Sequence, residues 1–324
     1  MSNREGLIYA MLLDGQGGGR PLAWDELASI DSEEGLVWLH FDYSSTKAQD
    51  WIENDSGLHS ADIDALLKEE TRPRCVISQK GLLVVLRGVN LNPGANPEDM
   101  VSLRLWMNES RIITTRCRRH MWEGDILDAI EAHEGPSSSG TFLVMVAELM
   151  VGRIHEVVQD VEEQVAILEE TMLEQKSQAI RTQLADIRRQ TINLRRYLSP
   201  QREAMAHLHS EKITWFSEMD RLHLREVHDR MIRTVEDLDA ARERAAIAQD
   251  ELENRMAEQL NQRMYMLSMV AALFMPLTFL TGLLGINVGG IPGAENKQAF
   301  VWVSLILTGI GLVLYLIFRK RKWM

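Results

Sequence analysis

The segment Met264–Asn287 reads MYMLSMVAALFMPLTFLTGLLGIN and has no charged residue between Met264 and Leu284. A helix of that length crosses a hydrocarbon core of about 30 Å. It is not a plain anchor, because Pro276 lies near its middle and Thr278 adds a hydroxyl group to an otherwise apolar run. Several glycines follow it. We therefore predict a membrane helix that does more than hold the chain in the bilayer.

A second apolar run, Ala299–Phe318, predicts a second membrane helix. The loop between the two helices, residues 286–298, carries only Glu295 and Lys297 as charged residues, whereas basic residues precede the first helix and fill the tail at 319–324. Lys and Arg are retained on the cytoplasmic side of a membrane. We therefore expect a multi-pass membrane protein with both termini in the cytoplasm.

The composition excludes several classes of function. A net charge of −12 argues against nucleic acid as a partner and suits a protein that handles cations. The two membrane segments contain no His, Asp, Glu or Cys, so they provide no tight zinc site. No pairing of a nucleophile with a base and no HExxH motif occurs in the chain. We therefore expect neither an enzyme nor a bound cofactor.

Residues 1–135 predict an α+β cytoplasmic domain, since short β-rich runs alternate with helical segments and turn residues. The short links between neighbouring runs favour a mostly antiparallel or mixed sheet. The predicted strands are Gly6–Leu13, Leu36–Phe41, Cys75–Ser78, Leu82–Val89, Val101–Met107 and Ile112–Arg116. The predicted helices are Thr46–Asn54, Ser60–Lys68 and Gly124–His133.

Helices dominate the chain after Gly135–Gly140 (GPSSSG), which is typical of a linker. Residues 141–209 predict a cytoplasmic helical hairpin, with Pro200 as an expected kink. Ser217, followed by Asp220, is a candidate helix cap. No glycine or proline occurs from there to Phe274, so residues 218–285 predict one helix about 100 Å long that includes the first membrane segment, about 264–285.

Two heptad patterns run along this long helix. An apolar seam requires either the preceding helices or further copies of the chain to cover it, and we expect an oligomer. The seam residues are Leu224, Met231, Leu238, Ala245 and Leu252. The acids Asp229, Glu236, Glu243 and Asp250 repeat at the same interval. In a bundle they predict stacked negative rings of a funnel that concentrates divalent cations, although a solvated face is the alternative because the helix is acidic all round.

A third pattern lies in the membrane segment. The residues Met264, Leu267, Met275 and Thr278 fall on one side of the helix, and Asn287 continues that side. In an assembly with this side inward, they predict apolar constrictions, a hydroxyl ring and an amide ring, elements used for gating and cation selection. Two anchor helices that pack through small residues are the alternative interpretation.

The whole chain resembles the CorA family of divalent-cation transporters. The resemblance is most specific at Met275–Phe279 (MPLTF) and at the triplet Gly285, Ile286 and Asn287. It implies a homopentamer in the lipid bilayer of the bacterial inner (plasma) membrane, with the first membrane helix lining the pore. It also implies that the triplet is the selectivity loop, where Asn287 contacts the metal through its hydration shell.

The triplet departs from the Gly-Met-Asn of the magnesium branch and is similar to the ZntB branch, which transports zinc. That resemblance implies Zn²⁺ as the transported ion, whereas an amide oxygen is a hard ligand better suited to magnesium. The branch is associated with proton coupling, which here requires a group in the loop, such as Glu295, or in the cytoplasmic part. A magnesium, cobalt or nickel channel and a membrane-anchored sensor or scaffold remain the alternatives.

Overall fold

A computed structural model describes residues 6–28, 35–68, 72–78, 80–174, 178–285, 293 and 296–320. The chain divides into two compact units, Met1–Gln249 and Asp250–Met324. The finer division predicted from the sequence, into an α+β domain and a helical hairpin, stays a prediction.

A seven-stranded mixed sheet forms the centre of the first unit. Its strands lie in the order β2-β1-β3-β7-β6-β5-β4, and β3 pairs with β7 in parallel while the other neighbours are antiparallel. The predicted mixed sheet is therefore confirmed. The strands are β1 (Leu7–Leu13), β2 (Gly19–Pro21), β3 (Leu36–Asp42), β4 (Arg74–Ile77), β5 (Leu82–Gly88), β6 (Val101–Met107) and β7 (Arg111–Arg116). All six predicted strands occur, and the short β2 was not predicted.

The sheet is covered on both faces because consecutive residues of its central strands, which point to opposite faces, are buried. In β3, Trp38 packs into a core with the long helices, whereas Leu39 and Phe41 pack into a second core beneath two short helices. Such strands read as continuous apolar runs, as expected for strands buried on both sides. The short helices are α1 (Thr46–Asn54), α2 (Ser60–Leu67) and α3 (Trp122–Glu131), of which α1 and α2 cover the second core, and a 3-10 turn spans Trp24–Ala28.

Three long helices and one further helix follow: α4 (Ser139–Glu174), α5 (Gln178–Ser210), α6 (Glu218–Leu284) and α7 (Ala299–Lys320). The GPSSSG segment is not a simple linker, because Ser138 Oγ accepts a hydrogen bond from Thr141 N at 3.0 Å and begins α4. The predicted cap of α6 is confirmed. Ser217 N donates to Asp220 Oδ2 at 2.9 Å, and Asp220 N donates to Ser217 Oγ at 3.0 Å.

The apolar seam of α6 is buried within a single chain. All five seam residues are at most 1% exposed, and Leu224, Met231 and Leu238 share a core with residues of α4 and α5. The preceding helices therefore cover this part of the seam, which is one of the two covers that the sequence allowed, and the oligomer stays a prediction.

A buried polar network joins β3, β7 and α3 inside the first unit. His40 Nδ1 lies 2.7 Å from Thr114 Oγ1, and His40 Nε2 lies 3.3 Å from Glu123 Oε1. Arg116 donates to the other oxygen of Glu123, and His120 N donates to Oε1 at 3.0 Å. Burial lowers the pKa of His40 and lowers that of His120 to about 4. Burial opposes ionisation of Glu123, but His40 and Arg116 outweigh it and lower its pKa.

These shifts predict a loss of stability in mild acid. An unfolded histidine titrates near pH 6.5, whereas the folded pKa of His120 is about 4. Between these values the unfolded chain binds more protons, so stability falls as the pH falls. We expect the melting temperature of the detergent-solubilised protein to decrease from pH 7 to pH 5, and to decrease less in His120→Gln. The exposed residue His59 provides the control His59→Gln, which should behave like the wild type. Equal slopes for His120→Gln and the wild type would contradict the assignment.

The start of α4 packs closely on the cap of α6, which gives a prediction for Gly140. A methyl group there would lie 2.5 Å from Asp220 Oδ2, which accepts from Ser217 N and Oγ. Gly140→Ala should therefore displace the cap and destabilise the protein by about 1–2 kcal/mol. In the interior of α4, Gly152→Ala meets no atom within 4 Å and should stabilise by about 1 kcal/mol through helix propensity. Thermal unfolding of both variants checks this, and a shift of the same sign in both would contradict it.

Candidate ion pathway

Two helices of the described part of the chain are long and apolar enough to cross a membrane, α6 and α7. None of the most apolar stretch of either helix is buried within the single chain. Large side chains such as Phe279, at 67%, and Phe300, at 82%, are exposed. Apolar surface of this extent is not left in water by a soluble protein, so lipid or other copies of the chain must cover it.

The four predicted pore-lining residues lie on one exposed side of α6. Met264, Leu267 and Met275 are 65–70% exposed, and Thr278 is exposed as well. At about 100° per residue, the four positions fall within an arc of about 80° around the helix axis. The same arc contains Gly282. This side therefore presents thioether, alkyl and hydroxyl groups beside a position with no side chain.

The described part of α6 stops just before the predicted outer mouth. Gly285 N donates to Thr281 O at 2.9 Å, which closes the last turn of the helix. The other members of the selectivity triplet, Ile286 and Asn287, and the loop residue Glu295 lie outside the described residues. Their roles stay predictions.

The four heptad acids lie on the exposed side of α6. Each follows a buried seam residue by five positions, which is about 140° around the helix. Within the described ranges, Glu236, Glu243 and Asp250 make no ion pair. The exposed Arg233 lies between Asp229 and Glu236. Negative charge along this side of α6 is therefore stronger at Glu243 and Asp250.

The basic residues beside the seam are paired with acids. Arg195 of α5 binds Asp239 through two hydrogen bonds, with Nε to Oδ1 at 2.5 Å and Nη2 to Oδ2 at 3.2 Å. Arg244 binds Glu169 of α4 in the same bidentate way. The hydrogen bonds that each arginine donates to its carboxylate raise the pKa of that arginine. These pairs attach α6 to both neighbouring helices and leave the unpaired acids on its outer side.

The structure also brings together two histidines that the sequence did not connect. The rings of His209 in α5 and His228 in α6 lie 5.3 Å apart, and His228 Nδ1 is 3.8 Å from Asp229 Oδ1. Partial burial and the nearby His209 lower the pKa of His228. Spacing within one helix could not reveal this pair, because it depends on the register between two helices. No group of three or more metal-binding side chains occurs among the described residues.

The comparisons with known proteins cover almost the whole chain. The family model described as CorA-like Mg²⁺ transporter protein matches residues 33–320. A protein named divalent cation transporter CmaX, from Pseudomonas aeruginosa, is 38% identical over 99% of this chain and 98% of its own. A zinc transport protein ZntB from Yersinia enterocolitica is 35% identical over 98% of this chain and 96% of its own.

A solved structure, that of full-length CmaX, has the same fold. It superposes with a TM-score of 0.87 and covers 99% of both chains at 38% identity. The mixed sheet, the long helices and the two membrane helices of this chain therefore recur together in an experimentally determined relative.

Proposed function

Because this chain belongs to the family of CorA-like Mg²⁺ transporter proteins, we propose that it conducts zinc through a homopentameric pore. Membership makes it a divalent-cation transporter rather than an enzyme. The proposal adds the ion, the pentamer and the residues of the pathway. The name of the Yersinia relative supports zinc, whereas the name of the Pseudomonas relative specifies only a divalent cation.

The observation that carries the proposal is the exposed side of α6 in the membrane segment. A helix with Met264, Leu267, Met275 and Thr278 in one narrow arc can line a pore only if several copies turn that arc inward. Five copies would also cover apolar surface that a single chain leaves exposed. We place both termini in the cytoplasm, because the basic tail follows α7 and the loop between α6 and α7 is poor in Lys and Arg.

In the proposed pathway a hydrated ion meets a ring of Asn287 amides at the outer mouth. The amide oxygens hold the water shell of the ion and do not replace it, which suits a position without carboxylate or thiolate ligands. The ion then passes the Thr278 hydroxyls, which offer polar contacts inside an apolar segment. The narrow apolar positions Met275, Leu267 and Met264 follow, and such constrictions gate by excluding water.

On the cytoplasmic side, Asp229, Glu236, Glu243 and Asp250 would form the walls of a funnel. Their exposure on the outer side of α6 makes them available to face the axis of a bundle. Stacked carboxylates raise the local concentration of divalent cations without binding them tightly. Proton coupling would use groups outside the membrane segments, such as Glu295.

A magnesium, cobalt or nickel channel is the alternative within transport, and the donor set supports magnesium among them, since amide and water oxygens suit hard cations. Measuring the flux of one metal while the others compete distinguishes a zinc transporter from this alternative. Zinc flux that exceeds the flux of the other metals supports the proposal. Measuring zinc flux with and without an imposed pH gradient tests the coupling.

Asn287→Ala should abolish zinc flux while the protein still folds, because the variant loses the amide ring that holds the hydrated ion. The measurement is zinc entry into proteoliposomes with a fluorescent indicator. Asn296→Ala is the matched control, since this amide lies in the same loop but accepts from Gln298 N at 2.9 Å at the start of α7. The control should retain flux near the wild-type rate. Wild-type flux in Asn287→Ala would refute the pore assignment.

The double variant Glu243→Gln and Asp250→Asn should lower initial zinc flux by at least about threefold at low ionic strength, because the funnel attracts fewer cations. The difference in zinc flux between this double variant and the wild type should shrink in about 1 M salt, where the Debye length is about 3 Å. The control is Asp160→Asn with Glu163→Gln, two exposed acids of α4 that remove the same charge. An equal loss of flux in both double variants, or no loss in either, would show that these acids do not line the pathway.

A further inference from the structure

A cavity of about 540 Å³ lies in the first compact unit, beside β5, β6 and α5. Its volume is within the range of small-molecule sites. It is lined by residues of the two strands, by Glu98 and Asp99 of the loop before β6, by the segment after β7 and by Asn193 and Tyr197 of α5. None of these residues belongs to the proposed ion pathway.

The charge of this cavity is opposite to that of the chain. The chain has a net charge of −12, yet the described residues that line the cavity include four arginines, Arg87, Arg104, Arg118 and Arg196, and two acids, Glu98 and Asp99. A surplus of guanidinium groups repels divalent cations, so the transported metal is not a suitable occupant. The cavity instead attracts small anions.

Two of the arginines are held in fixed positions at the floor. Arg104 is fully buried, its guanidinium lies 4.3 Å from the ring centre of Tyr43, and its Nη2 donates to Lys68 O at 2.5 Å. Arg87 stacks at 4.6 Å on Tyr197, and its Nη1 donates to Met100 O at 2.9 Å. Stacking on an aromatic ring and a hydrogen bond to a backbone carbonyl restrict the orientation of each guanidinium group. Both floor arginines are therefore held in place at the cavity.

The other two arginines stand at the rim. Arg118 and Arg196 are exposed, and Arg196 lies 5.4 Å from the ring centre of Tyr197, the ring on which Arg87 stacks. Within the described residues neither makes an ion pair with a carboxylate. Planar guanidinium forks bind phosphate oxygens in pairs of hydrogen bonds. The rim residues are thus available to bind an anion that enters the cavity.

We propose that this cavity is a binding site for a small phosphorylated anion, either an inorganic polyphosphate or the phosphate group of a nucleotide. A phosphate-bearing ligand carries more than one negative charge, which matches several arginines better than a single carboxylate would. The cavity is connected to the long helix α6 through α5, because Arg195, which is next to Arg196, forms an ion pair with Asp239 of α6. The inference is independent of which metal the protein conducts.

The test is calorimetric titration of the full chain in detergent with sodium pyrophosphate and, separately, with ATP, both with EDTA present to exclude metal complexes. We expect saturable binding that weakens with salt. The double variant Arg118→Gln and Arg196→Gln should weaken it by at least about tenfold, because each removes a charge-assisted hydrogen bond. Arg118→Lys with Arg196→Lys keeps the charge and should retain part of the affinity.

The matched control is Arg189→Gln with Arg230→Gln, two exposed arginines of α5 and α6 outside the cavity, which should bind like the wild type. Equal binding of pyrophosphate and ATP assigns the site to the phosphate group alone, and binding of ATP only assigns it to a nucleotide. Binding of neither ligand, or an equal loss in the cavity and control variants, overturns the proposal. Melting temperatures show whether each variant is folded. Zinc flux is measured separately, so that a failure of the anion-site proposal can be distinguished from a failure of the proposed transport function.

Discussion

The burial of one apolar seam determines how the long helix α6 presents its charges. Leu224, Met231 and Leu238 are covered by α4 and α5, so the positions about 140° away around the helix must face outward. Those positions carry Glu236 and Glu243. The acids need no specific partner to hold this arrangement. Packing of the apolar side alone fixes which side of the helix carries negative charge.

Much of this fold could be predicted from local patterns. Strands such as Leu82–Gly88 and Val101–Met107 are apolar runs bounded by turn residues, and the cap at Ser217 depends on residues three positions apart. The strand Gly19–Pro21 has only three residues at the sheet edge, too few to show a period. GPSSSG has the composition of a linker, but the same serine that favours a loop also caps a helix.

The membrane side of the candidate site was predictable for the same reason, since one helix places Met264, Leu267, Met275 and Thr278 by its period alone. Features that join distant segments of the chain could not be predicted in this way. The His209–His228 pair depends on the register of two helices. The cavity combines residues of β5, β6, α5 and the segment after β7. No sequence period connects Arg104 with Arg196, and only the folded sheet brings them to one place.

The distribution of arginines explains how an acidic chain holds two regions of opposite charge. Near the seam, Arg195 and Arg244 are paired with Asp239 and Glu169, so they cancel acids there and leave the outer acids of α6 uncompensated. In the cavity, Arg87 and Arg104 stack on tyrosine rings and donate to backbone carbonyls, which fixes their positions. Pairing with carboxylates beside the seam and stacking on tyrosines in the cavity therefore keep the outer acids of α6 apart from the arginines that line the cavity.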